Sequence, residues 1–452
     1  MTDFRQEPIA PAKKANTIGL FSGIGMVVAD MIGTGVFITA GFMVQVLAPH
    51  WILLAWVTGF ALALCGAKGY SAVAALVPRS GGEYRYLSEL LHPALGYLAG
   101  WASLFVGFSA PIAIDALAAG AFSKTVIPGL NPTYVAVVIV LTLTGMHALG
   151  MRSSLATQNL LVAIKILLVM GFVIVGLGGG NNHWPTWQPA QPSDGFPLAA
   201  FMSNLFYIAF AFSGWNAAVY AAEEFKNPRR DVARAMLIGC ALVGVLYLMV
   251  NWIFIANLTP HEAAVVFQDQ NARITLGHLI TRDILGDTGA TFMSMLVIIA
   301  LISATSAMAF IGPRVYAAMA KDGFLPRILI GREGKPPVFA VMLQGALALV
   351  LVFAYDLQQM LQNVGAILTL FSALTVLALF RVRFSSAYPV KPSTGSLLAS
   401  SFYVLLAGWM LYFGFHEKSG LLLWVAGVSL VALVAYFVTR KNPSKNLPRR
   451  IP

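Results

Sequence analysis

Residues 24–37 read Ile24-Gly25-Met26-Val27-Val28-Ala29-Asp30-Met31-Ile32-Gly33-Thr34-Gly35-Val36-Phe37 and lie in the middle of the first long apolar segment of the chain. A helix crossing a membrane is expected to avoid charges, paired glycines and hydroxyls at its centre. This one carries Asp30, Gly33, Thr34 and Gly35. An aspartate at mid-membrane costs about 2.5–3.5 kcal/mol on insertion scales, so it is expected to face a partner or a wet cavity. Each glycine weakens the helix by about 1 kcal/mol. Opened backbone is tolerated at membrane depth only where it lines a cavity or is buried in protein. The stretch therefore reads as half of a substrate site.

Working outward, the chain is 58% hydrophobic and only 10% charged over 452 residues, with a mean hydropathy of +0.77. Soluble domains carry about 25% charged residues. Repeated apolar runs near 20 residues make this an all-α polytopic membrane protein embedded in a lipid bilayer. No cleavage site follows the first apolar segment, and residues 1–16 read as a polar tail. Cys65 and Cys240 both lie in apolar runs and form neither a disulfide framework nor a metal cluster. No P-loop, zinc motif or catalytic triad is present, so no cofactor, metal or catalytic residue is expected; Gly178-Gly179-Gly180 reads as a linker.

Twelve apolar segments are expected, at 17–44, 52–77, 93–122, 133–150, 155–179, 197–222, 232–257, 289–320, 338–354, 358–381, 397–415 and 420–439. Sorting the connections alternately sorts the charge. Of the 29 basic residues 23 fall on one side, among them Arg5, Lys13, Arg79, Arg85, Arg152, Arg229, Arg230, Lys321, Arg381 and Lys441. The other side holds Lys124, Arg273, Arg282 and Lys418, while Lys68 and Lys165 fall within helices. This is the positive-inside pattern, with both termini cytoplasmic in the cell's plasma (inner) membrane. It also explains the net charge of +11 without nucleic acid.

The sixth segment has a second soft centre, Phe210-Ala211-Phe212-Ser213-Gly214-Trp215-Asn216. It stands five segments after the first. Five is odd, so two successive five-helix units would have opposite topology, the layout of many secondary transporters. The expected organisation is a first repeat over 17–181, a second over 182–381, two added helices over 397–439, and a cytoplasmic tail over 440–452. Residues 78–92 are expected to form a short amphipathic helix on the cytoplasmic face, and 258–288 an outside loop with a surface helix.

Five stretches carry a resemblance: Met31 to Phe37; Pro78-Arg79-Ser80-Gly81-Gly82-Glu83-Tyr84; Phe210 to Asn216; Glu224-Phe225-Lys226-Asn227-Pro228-Arg229-Arg230; and Arg314-Val315-Tyr316 with Met319-Ala320-Lys321-Asp322-Gly323-Phe324-Leu325-Pro326. In this order they resemble the amino acid–polyamine–organocation superfamily, most closely its L-type-like amino acid transporters. The resemblance implies a LeuT-like 5+5 inverted repeat with 12 transmembrane helices, the first and sixth discontinuous, and alternating access to a mid-membrane site. It implies that amides around Gly33, Thr34 and Gly35 take a substrate carboxylate, as helix N-termini favour anions. Carbonyls of Ile32, Phe210, Ala211 and Ser213 would then accept from the substrate ammonium. Phe210 matches the family's aromatic gate, with Phe212 beside it, while Trp215 and Asn216 shape the side-chain pocket. The chain departs from the family at Ala72, where a glutamate is common, and at Val232-Ala233.

Lys165 lies at the centre of the fifth segment, too deep to snorkel. In sodium-independent relatives a lysine here occupies the place of a sodium ion, and the match implies that Lys165 bridges to the carbonyls around Ala29 and Ile32. Asp30 is expected to pair with Lys165, to line the inner vestibule or to contact another helix. Asp115 reads as a solvated or structural residue near the outer end, Lys68 as a snorkelling residue, Ser303, Thr305 and Ser306 as packing groups, and His147 as no ligand. With no acid but Asp30 expected near the pocket, a neutral L-amino acid is favoured as the small-molecule substrate, moved by exchange or proton symport. Cationic amino acids or polyamines are the alternative. A channel or a membrane-embedded enzyme is disfavoured because ionisable groups are few and scattered. Oligomeric state is not legible.

Overall fold

The computed structural model describes residues 18–150, 155–190, 195–331, 337–417 and 419–439. The expected tails, and with them Arg5, Lys13 and Lys441, lie outside the described residues, as do Arg152 and Lys418. In chain order the helices are α1 (Leu20–Met31), α2 (Thr34–Met43), α3 (Pro49–Leu76), α4 (Glu83–Leu90), α5 (Pro93–Ala102), α6 (Ser109–Val126), α7 (Pro132–Ala148), α8 (Leu155–Gly179), α9 (Leu198–Ala211), α10 (Ala217–Tyr220), α11 (Ala233–Asn257), α12 (Pro260–Gln268), α13 (Gln270–Ile274), α14 (Leu276–Lys321), α15 (Val338–Ala354), α16 (Leu357–Phe384), α17 (Thr394–Glu417) and α18 (Ser419–Thr439). A π-helical turn, Ser103–Phe108, joins α5 to α6. α14 is two helices meeting at Gly286, whose φ of 71° breaks the helical path.

Among the described residues, eight helical stretches are long and apolar enough to cross a membrane, and four shorter apolar helices accompany them. The protein is thus an all-helical, multi-pass integral membrane protein. Large apolar side chains such as Leu167 and Ile174 on α8, Leu405 and Trp409 on α17, and Leu423 on α18 point outward. A helix satisfies its own backbone groups, so lipid can cover such faces without cost. Lys68 is exposed, as a snorkelling residue would be.

Both expected breaks are present. α1 stops at Ile32, Gly33 is extended (φ −132°, ψ −152°), and α2 restarts at Thr34. Gly35 lets α2 lie on α9: a Cβ there would come within 2.3 Å of Ala211 Cα, which is backbone and cannot step aside. The second break is the turn from Phe212 to Asn216 between α9 and α10. Its Gly214 has φ +98° and presses on Asp30, where a Cβ would lie 2.7 Å from the Asp30 carbonyl carbon. The breaks therefore touch each other, and each contact depends on a missing side chain.

Around them the helices pack α6 on α14, α3 on α11, α16 on α9 and α1 on α11. Ile18, just before α1, is tied to the segment after α10 as a single β-bridge: Ile18 N donates to Glu224 O at 3.0 Å, and Lys226 N to Ile18 O at 3.0 Å. One expectation for the connections needs correcting. α4 is amphipathic but does not lie on a surface: Glu83, Tyr84, Tyr86, Leu87 and Leu90 are all buried. Its four apolar side chains outweigh the polar ones, so the helix turns them into the bundle. The 258–288 segment holds the expected short helix, α12, followed by α13 and the first turns of α14.

Candidate functional site

The break in the first long helix leaves the last carbonyls of α1 and the first amides of α2 without helical partners. The carbonyls attract cations and the amides attract anions. The structure fills both needs from side chains. Lys165 on α8, 2% exposed, donates Nζ to Ala29 O at 3.3 Å and to Ile32 O at 3.2 Å. Tyr247 on α11 donates its hydroxyl to Met31 O at 2.5 Å, and Gly33 N donates to the same carbonyl at 2.9 Å. On the other side, Asp115 on α6, 3% exposed, accepts from Thr34 N at 3.2 Å and from the Thr34 hydroxyl. A cation thus caps the C-terminus of α1 and an anion caps the N-terminus of α2.

Asp115 is one of two residues whose partners the sequence does not reveal. The sequence puts it near the outer end, yet it bonds Thr34 across 81 residues of chain. The only signal available was an acid in an apolar helix, which by itself points to a partner without naming it. The expected bridge from Lys165 to Ala29 and Ile32 is present. Of the three expectations for Asp30, an ion pair with Lys165 is not made, since Lys165 donates to carbonyls and Asp30 Oδ1 is buried with no hydrogen-bond partner; Asp30 instead lies against Gly214 of the second break.

Lys165 apart, the expected substrate and coupling residues divide into two groups. Asp30, Phe212, Ser213, Trp215 and Asn216 line one cavity of about 70 Å³, with Gly214 between them. Ile32, Gly33, Thr34, Gly35, Phe210 and Ala211 are not among its lining. Ile32 O is occupied by Lys165, and Phe210 O accepts from Ser213 N at 2.9 Å. Phe212 is held by Phe60, stacked at 6.0 Å, and by Tyr247 at 5.2 Å. Trp215 stands edge-on to Tyr70 at 4.7 Å. The far wall comes from the π-helical turn, through Ser103, Gly107 and Phe108. Such turns re-aim side chains and often sit at functional sites.

Glu83 also lines this cavity, which the sequence did not foretell because α4 read as a surface helix. Its carboxylate is buried and accepts from Tyr70 OH at 2.9 Å, Asn216 Nδ2 at 2.6 Å and Tyr220 OH at 2.7 Å. Asn216 is therefore oriented by Glu83. The premise for a neutral substrate, a pocket holding no acid but Asp30, does not hold. The α14 hydroxyls divide: Thr305 bonds its own helix at Leu301 O, and Ser306 meets His147.

A second, larger cavity of about 910 Å³ lies between α16 and α18, lined by Gln359, Asn363 and Trp424 among others. None of the expected site residues reaches it. No group of three or more metal-ligating side chains occurs among the described residues.

A family model described as "Amino acid permease" matches residues 18–443. Among curated proteins, the chain is similar to the human b(0,+)-type amino acid transporter 1, with 27% identity over 83% of this chain and 77% of that protein. The rat counterpart is 28% identical over 81% of this chain and 76% of its own length. The human large neutral amino acids transporter small subunit 2 is 26% identical over 93% of this chain and 80% of that protein.

Proposed function

Because the chain belongs to the amino acid permease family, we propose that it carries amino acids across the membrane by alternating access, without sodium and with a proton. The relatives' names, amino acid transporters of two kinds, support the cargo. In this reading the eight long and four shorter apolar helices form 12 spans in two inverted repeats of five plus two. The termini are cytoplasmic in the plasma membrane, and α1–α2 and α9–α10 are the discontinuous pair.

The observation that carries the coupling is the pair of caps on the broken helix. A sodium ion at the α1 carbonyls would have to share space with the Lys165 ammonium, which the charge forbids. A substrate carboxylate at the α2 amides meets the Asp115 carboxylate already bonded to Thr34. Two anions on one amide repel, so Asp115 must give up its charge or the site. Protonating it removes the repulsion and releases Thr34 N to the substrate. One proton then travels with each carboxylate, and its release on the cytoplasmic side resets the cap.

The test is uptake of a labelled amino acid mixture into proteoliposomes, with and without sodium, an inward proton gradient, and unlabelled amino acids inside. Accumulation in empty vesicles driven by the proton gradient and indifferent to sodium supports the reading. Stimulation by internal amino acid alone would mean exchange, with Asp115 a structural cap. Flux that never saturates would mean a channel, and no uptake at all would remove the amino acid reading.

A further inference from the structure

The geometry points to Tyr247 on α11 as a positioning residue for transport, one side chain that ties the first break to a ring lining the cavity at the second. The inference rests on the amino acid reading above and adds to it a residue that touches no substrate. Tyr247 has no exposed surface and is not among the residues lining the cavity of about 70 Å³. Its two ends serve different breaks. The hydroxyl donates to Met31 O at 2.5 Å, across 216 residues of chain. The ring stands against Phe212 at 5.2 Å, with the two planes inclined at 61°.

The hydroxyl end acts at a carbonyl that Lys165 leaves alone, since Lys165 takes Ala29 O and Ile32 O. Met31 O also accepts from Gly33 N at 2.9 Å, and Gly33 is the N-cap of α2. The next residue is Thr34, whose amide Asp115 holds. A shift of the Met31 carbonyl is therefore passed to the amide side of the break. The ring end is confined. Trp56 on α3 meets the tyrosine edge-on at 5.8 Å and reaches Phe212 at 6.0 Å, while Phe60 stacks on Phe212 at 6.0 Å. Side chains packed at interior density transmit a displacement instead of absorbing it. Phe212 lines the cavity. A substrate side chain that fills the cavity presses on Phe212, Phe212 on the tyrosine ring, and the tyrosine hydroxyl on Met31 O. A phenylalanine at position 247 keeps the ring contacts and cuts only the last link. Met31 O then still has Gly33 N, so the break itself stays satisfied.

The experiment is initial-rate uptake of leucine and of alanine into proteoliposomes, over a range of concentrations, by the full-length natural protein and by Tyr247→Phe. Leucine reaches deep into the cavity and alanine does not. One hydrogen bond inside a membrane shifts an equilibrium about three- to twentyfold, so the natural protein is expected to move leucine at least about threefold faster than alanine at saturation. In Tyr247→Phe that advantage should fall to about parity while the ratio of the two KM values is kept. A tyrosine that only packs would slow both substrates alike and keep the leucine advantage, or raise both KM values; either result overturns the proposal. Unchanged kinetics in Tyr247→Phe, or equal maximal rates in the natural protein, overturn it too and leave amino acid transport standing. So does a Tyr247→Phe protein that fails to fold, judged by thermal unfolding, because the hydroxyl would then be holding the fold. No uptake of leucine or alanine by the natural protein also overturns the coupling, and uptake of the full labelled mixture then decides the amino acid reading separately.

Discussion

Truncating Lys165 to alanine removes the cap on the α1 carbonyls. The lysine makes two charge-assisted hydrogen bonds, to Ala29 O and Ile32 O. Bonds to charged groups contribute about 1.5–3 kcal/mol each in soluble proteins. Inside membranes the measured values are smaller, averaging about 0.6 and reaching about 1.7 kcal/mol. Two such bonds are therefore worth about 2–3 kcal/mol, partly offset by relief from burying an ammonium. What remains is the stranded Ile32 carbonyl on a residue with no exposure. A net loss near 2 kcal/mol shifts an equilibrium about 30-fold. We expect Lys165→Ala to lower sodium-independent uptake at least tenfold and to lower the melting temperature. Lys165→Met, which keeps the length of the side chain, should recover melting more than uptake. The assay is initial-rate uptake in proteoliposomes at matched protein content. Wild-type uptake by Lys165→Ala in sodium-free buffer would refute the cap and the sodium-replacement argument together.

The remaining expectations are more local. Asp115→Asn keeps an acceptor for Thr34 but cannot titrate; proton-driven accumulation should disappear while counterflow between equal pools persists, as a pH-jump flux assay would show. Gly35→Ala puts a methyl 2.3 Å from Ala211 Cα, and backbone cannot yield cheaply. It should cost more than about 2 kcal/mol, read as lost monodisperse protein. Arg85→Ala breaks the partly buried pair with Asp322, which also accepts from Tyr84 at 3.0 Å. A loss of about 1 kcal/mol is expected, with a non-additive double mutant Arg85→Ala/Asp322→Ala in thermal unfolding. Glu262, in the capping box with Thr259, is pushed above the usual glutamate range, first by burial and also by Asp283. The folded state then holds this proton more tightly than the unfolded chain, so stability should fall as pH rises from the ordinary glutamate range to the raised one. Glu262→Gln should flatten that slope in melting curves taken across pH.

The breaks were legible because they are local: Gly-Thr-Gly and Ser-Gly-Trp in apolar helices are visible without knowing any neighbour. Lys165 was legible because a buried ammonium must find oxygens, and an opened helix nearby is the obvious supply. Glu83 and Asp115 were not. Each is set by a partner far along the chain, Asn216 at 133 residues and Thr34 at 81. Periodicity reports which face of a helix is apolar, not which helix it meets. For α4 even the face misled, since Glu83 heads a helix whose burial is decided by Tyr84, Tyr86 and Leu87 behind it.

The two caps differ in a way that bears on how the site works. Lys165 contributes a fixed positive charge to two carbonyls at the end of α1, those of Ala29 and Ile32, so releasing it strands both at once. Asp115 holds one backbone amide and one hydroxyl of the same residue, Thr34. A carboxylate that now accepts from the threonine hydroxyl can lose its charge by taking a single proton and then donate to that hydroxyl instead. The carbonyl side of the break is thus built to persist, while the amide side is built to be exchanged. In the proposed cycle a substrate carboxylate carries the charge that the exchangeable side accepts, and its ammonium is left to the carbonyls of the second break.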